Sequence, residues 1–103
     1  MSILGSLMKG MGEAVGRQLW PIYEEARRRD PHTLEKIIVN ETNVTRAAVC
    51  LLALGERSVF KAKELYAKKR IGYNNVFNTL RNYRRFSPVI DMFMRKCAPD
   101  NLN

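Results

Sequence analysis

The residues best able to recognise another molecule lie between Asn74 and Arg85. Asn74, Asn78, Arg81, Asn82 and Arg85 fall on one side of a helical wheel, with Asn75 at its edge, and Val76, Phe77, Leu80 and Tyr83 fall on the other. An apolar stripe of this period predicts a helix docked on a core. The polar side is unusual. Asn is a mediocre helix former because its amide competes for backbone hydrogen bonds, and a merely solvated face would carry Glu, Lys and Gln. No acid stands between Ile71 and Ile90. Asn reads adenine, and Arg reads guanine, through paired hydrogen bonds in the major groove of duplex DNA. We therefore expect Tyr73–Phe86 to be a recognition helix whose base-reading residues are Asn74, Asn75, Asn78, Arg81, Asn82 and Arg85. The same composition also suits a basic surface helix with no partner.

Catalysis has less to stand on. The ten acids are scattered, His32 is the only histidine, and no sequence motif surrounds Cys50 or Cys97. General acid–base and nucleophilic chemistry need partners within hydrogen-bond reach. Gly10-Met11-Gly12 has neither a preceding strand nor the Lys-Ser/Thr of a phosphate loop. No catalytic residue, metal ligand or cofactor is expected. The two cysteines read as reduced, small apolar residues of a cytoplasmic protein.

Charge points the same way as the Asn/Arg face. The 103 residues carry a formal net charge of +8. Residues 1–56 hold seven basic and seven acidic groups, whereas residues 57–96 hold eleven basic and two acidic ones. Such asymmetry is the footprint of a surface for a polyanion. Arg57, Lys61, Lys63, Lys68, Lys69, Arg70 and Arg84 are the expected phosphate contacts, which set register without reading sequence. An anionic membrane surface would make a similar demand. No apolar run approaches the roughly 18 residues that span a bilayer, and no charged stretch leads into a continuous apolar run with a cleavage site, so no signal peptide is expected.

These side chains must be held by helices. Residues 1–29 read as an amphipathic N-terminal helix with Leu4, Leu7, Met8, Met11, Val15, Leu19, Ile22 and Ala26 on one arc, and Gly5, Gly12 and Gly16 along its edge. Interior glycines cost about 0.5–1 kcal/mol each relative to Ala, so three on one edge imply close approach of another backbone. Leu4, Met8, Met11, Val15 and Leu19 are expected to join two copies into a homodimer. Alternatively, residues 3–20 engage another protein or lie in an anionic membrane surface. Pro21 either kinks this helix or begins another; Trp20 lies off the arc and marks the bend. Residues 30–97 form the main domain. Asp30-Pro31 is a cap followed by Pro at a first helical position. Ala47, Ala48, Cys50, Leu51, Leu52 and Leu54 make an almost wholly apolar helix, with Gly55 as its stop. Ser58 begins the next, which buries Val59, Ala62, Leu65 and Tyr66. Gly72 marks a turn, Ser87-Pro88 starts the last helix, and residues 98–103 are a tail. Nothing reads as a hairpin, so an all-α multi-helix fold is expected.

Two short stretches carry resemblances. Leu34-Glu35-Lys36, Asn43 to Ala48, Leu54-Gly55 and Arg57-Ser58 together resemble the helix-turn-helix of the factor-for-inversion-stimulation family, although the helix from Ala48 to Leu54 is longer here by about one turn. That resemblance implies DNA binding with Ser58–Lys69 as the recognition helix, and Arg57, Lys61 and Glu64 reading bases. Arg70-Ile71-Gly72-Tyr73-Asn74 resembles the turn of the winged-helix DNA-reading domain of bacterial chromosome translocases, without a wing after it. It implies a recognition helix opening at Tyr73, the choice that the Asn/Arg face favours. Both imply a small regulatory protein that binds double-stranded DNA.

Overall fold

The computed structural model describes the backbone of residues 2–98 and the side chains from Gly12 to Ala98. Six helices follow one another among these residues: α1 (Ser2–Ala26), α2 (Pro31–Asn40), α3 (Val44–Arg57), α4 (Val59–Lys68), α5 (Arg70–Leu80) and α6 (Phe86–Cys97). No strand occurs among them, so the fold is all-α as expected.

Local chemistry sets two of the starts. Asp30 is extended, and one carboxylate oxygen accepts from the Thr33 amide at 3.0 Å while the other accepts from the Thr33 hydroxyl at 2.6 Å. Those bonds hold the Asp30 carboxyl below the usual carboxylate range. Asn43 caps α3 by accepting from the amides of Thr45 and Arg46 at 2.9 and 3.3 Å.

The core is built around α3. Ala47 through Gly55 are all buried, and α3 touches each of the other five helices. Gly55 is not its stop. The helix runs two residues further to Arg57, and Gly55 lies buried within it. A Cβ there would sit 2.6 Å from Cδ2 of Phe93 and 3.2 Å from the Cys97 sulfur, so the glycine admits α6 rather than ending α3. Cys50 and Cys97 are free and buried, and burial raises both thiols above their ordinary value.

α1 is one helix that passes through Pro21, which lies on its exposed side. Its buried stripe is Gly12, Gly16, Leu19, Tyr23 and Ala26, rotated toward the glycines from the arc read in the sequence. The end of α5 and the turn after it cause this. A Cβ on Gly12 would lie 2.8 Å from the Thr79 carbonyl oxygen, and one on Gly16 would overlap the Tyr83 side chain. The close approach implied by Gly12 and Gly16 is therefore made within the chain, and Gly5 lies outside the described side chains. Leu19 is only 8 % exposed and so is spent within the chain, whereas Val15 is partly buried against the core. Leu4, Met8 and Met11 lie outside the described side chains. Trp20 packs rather than marking a bend, its ring 4.9 Å from Tyr23 and 5.0 Å from Phe86.

Gly55→Ala tests the α3–α6 contact. The Phe93 ring is held between Tyr66 and Phe77, with centroids at 5.8 and 5.4 Å, and has little room to yield. Overpacking costs about 1–3 kcal/mol, which outweighs the gain of Ala over Gly in a helix. Urea denaturation should show a lower midpoint for Gly55→Ala, partly restored by Phe93→Leu in the same chain. An unchanged midpoint would mean that the ring moves freely.

Candidate nucleic-acid interface

The expected recognition helix is shorter than its pattern. α5 opens at Arg70, ends at Leu80 and buries Tyr73, Phe77 and Leu80. Gly72 lies inside it, and the break before it is at Lys69, whose φ of −137° and ψ of 42° leave the helical region. Residues 81–85 form a turn in which Asn82 and Tyr83 donate backbone hydrogen bonds to Thr79 and Leu80 at 3.2 and 2.9 Å. α6 begins at Phe86, so Pro88 falls in its first turn, where its missing amide breaks no helical bond. Docking of Gly12 and Gly16 of α1 against Thr79, Asn82 and Tyr83 accounts for the early end of α5.

This geometry divides the proposed base-reading set. Asn75 and Asn78 are exposed on α5, with Ile71 one turn before Asn75 and two before Asn78. Asn74 instead turns to its neighbour α4. Its Oδ1 accepts from the Tyr66 hydroxyl at 2.7 Å, because the buried stripe is centred on Tyr73 and Phe77 rather than on Val76. Arg81, Asn82 and Arg85 leave the helix for the following turn. Arg81 pairs with Asp91 of α6, the Asn82 side-chain amide donates to the Thr79 carbonyl at 3.2 Å, and the Arg85 guanidinium lies over the Trp20 ring at 5.7 Å. The expected single face of Asn and Arg is not formed.

The cations divide in the same way. Lys61 pairs with Glu35 at 3.0 Å, and Arg57 donates to the Arg27 carbonyl. The ion pairs among the described residues leave out Lys63, Lys68, Lys69, Arg70 and Arg84, all of them exposed. Lys63, Lys68, Lys69 and Arg70 come together on one groove of about 700 Å³ where α4 meets α5, and no Asp or Glu lines that groove among the described residues. Arg84 lies beyond the other end of α5, roughly 15 Å along the helix axis at the usual rise per residue. The corner is stiffened from beneath. Tyr66 and Tyr73 stack with centroids 6.4 Å apart, and Lys69 is the only residue between the two helices.

Reasoning from the sequence assigned nothing to Ile71 or Val44, which line that groove and are 76 % and 37 % exposed. The available signal was position: Ile71 shares the outer face of α5 with Asn75 and Asn78, where a buried residue has no place. Comparison with protein-family models, with characterised proteins and with solved structures finds no match to this chain.

The corner tyrosines give a pH dependence. Burial raises Tyr66 and Tyr73, and burial with a hydrogen bond to Glu56 raises Tyr23, all above the ordinary value of 10.0. The folded chain then keeps protons that the unfolded chain releases above about pH 10. Stability tied to these groups is fully present below that pH and declines as pH rises beyond it. Tyrosinate absorbance should therefore rise in step with loss of helical circular dichroism above about pH 10. Smooth ionisation of every tyrosine with the helices intact would contradict the burial.

Proposed function

We propose that this chain binds double-stranded DNA through the corner where α4 ends and α5 begins. The observation that carries the reading is the gathering of Lys63, Lys68, Lys69 and Arg70 on one groove, with no acid in its lining and no ion pair to any of them among the described residues. Adjacent like charges repel one another in the free protein, and a row of phosphates relieves that repulsion while releasing counterions. In this reading the four cations hold the backbone, and α5 enters the major groove with Asn75 and Asn78 meeting base edges. The Asn74 side chain serves the fold through Tyr66, and Lys61 serves it through Glu35. The Lys69 connection is tighter than the three- or four-residue turn usual in a helix-turn-helix, so the two helices would act as a rigid corner. A regulatory role, a cytoplasmic setting and a homodimer belong to the same proposal.

A fluorescein-labelled duplex of mixed sequence, followed by anisotropy across a salt series, tests it. Log affinity should fall with log salt at about 0.9 per phosphate neutralised. Lys68→Ala, Lys69→Ala and Arg70→Ala should each lower that slope by about one and weaken all sequences alike. With a sequence selected for tight binding, Asn75→Ala and Asn78→Ala should each remove about 1–3 kcal/mol of discrimination and leave non-specific binding nearly unchanged. If Arg57→Ala and Lys61→Ala alter the preferred sequence while the α5 variants do not, α4 is the reading helix. Absence of binding to any duplex at low salt overturns the proposal.

A further inference from the structure

The groove at the α4–α5 corner has a second chemistry that phosphate binding leaves unused. Val44, Tyr66, Ala67, Ile71 and Ala98 give it an apolar lining beneath the four cations. Ile71, 76 % exposed, is one of the most exposed large apolar side chains among the described residues. On the far side of Lys68 and Lys69, a smaller depression of about 220 Å³ is lined by those same lysines together with Val39, Leu65 and Tyr73. Val39 is itself 60 % exposed. Exposed aliphatic residues thus flank the lysine ridge on both sides.

From this we infer that the corner is a docking groove for an acidic amphipathic helix of a partner protein. Aliphatic side chains of such a helix fit the lining at Ile71 and Val44, and its carboxylates meet Lys63, Lys68, Lys69 and Arg70. Nucleic-acid phosphates carry no apolar surface to cover Ile71. A groove of about 700 Å³ with an apolar lining and a rim of one charge sign matches a helix that is apolar on one face and acidic on the other. Because the rim cations are those assigned to DNA, helix and duplex are mutually exclusive ligands, and the partner acts as an antagonist of DNA binding. The docking itself rests on the apolar lining and stands whether or not DNA binds.

The probe is a fluorescein-labelled peptide of Leu, Glu and Ala, about 18 residues long, with Leu recurring at helical spacing. Its scrambled isomer of equal charge, a labelled duplex, and vesicles of phosphatidylcholine with about 30 % phosphatidylserine complete the set. The intact chain should bind the amphipathic peptide at least tenfold more tightly than the scrambled one. Ile71→Ser should lower peptide affinity about tenfold, corresponding to about 1.4 kcal/mol, and leave the salt slope of duplex binding unchanged, because it removes no cation. Gly72→Leu provides a second variant. An added Cβ there meets only Val44, at 3.4 Å, so the larger side chain projects into the groove and should block the peptide while sparing the cations. Lys68→Ala should weaken both ligands. Peptide binding without duplex binding retains this inference and removes the DNA reading. Equal affinity for the two peptides overturns it, as does indifference of the peptide to both Ile71→Ser and Gly72→Leu. Ile71-dependent binding to vesicles with no preference for the amphipathic peptide overturns it in favour of a membrane surface.

Discussion

A helix that is apolar on every side persists only if other helices surround it, and the run from Ala47 to Gly55 imposes that condition on the whole chain. Each fully buried Leu or Val contributes about 1.5–3 kcal/mol by leaving water, and Val49, Leu51, Leu52 and Leu54 are all completely or almost completely enclosed. The small residues among them matter equally. Ala47, Ala48 and Ala53 let neighbouring helices come close, and Gly55 takes the edge of the Phe93 ring. The mixture of large and small residues lets one central helix be covered by the other five. Each of those spends one face on α3 or on another neighbour, and keeps the opposite face free for other work.

The α4–α5 corner follows from that arrangement. Ala62, Leu65 and Tyr66 turn α4 inward, and Tyr73, Phe77 and Leu80 turn α5 inward. With both helices anchored, Lys68, Lys69 and Arg70 are left at the junction, exposed and beyond reach of the acids that neutralise Lys61 and Arg81. The charge imbalance of the second half of the chain thereby becomes a local feature rather than a diffuse one.

What could be read from the sequence was chiefly what nearest neighbours decide. Asp30-Pro31 starts a helix through bonds within four residues, and the apolar run in α3 could only be interior. The basic corner was also visible, because Lys68-Lys69-Arg70 is contiguous. The glycines were harder. Gly55 and Gly72 read as a stop and a turn, since glycine weakens a helix in isolation, yet Gly55 is occupied from outside by Phe93 and Gly72 sits within α5. The end of α5 was equally hidden. The 3.6-residue period continues to Tyr83, but contact with Gly12 and Gly16 of α1, far away in the chain, sets the stop at Leu80. Asn74 was placed on the outer face because periodicity knows nothing of the Tyr66 hydroxyl on the preceding helix. The clustering of the charges was thus legible along the chain, whereas the placement of the amides depended on contacts between helices.

The joint between α1 and the turn before α6 gives the molecule an optical label of its own. Trp20 is the only tryptophan. Its indole lies against Tyr23, Tyr83 and Phe86, and the Arg85 guanidinium stands over the ring. The indole N–H is enclosed without a hydrogen-bond acceptor among the described residues, so its excited state relaxes against neighbouring rings and one cation instead of water. Trp20 lines neither depression beside Lys68 and Lys69. Its emission therefore reads the seating of α1 on the rest of the fold, separately from events at the charged corner. A ligand held at that corner leaves the colour of the emission alone unless it also unseats α1.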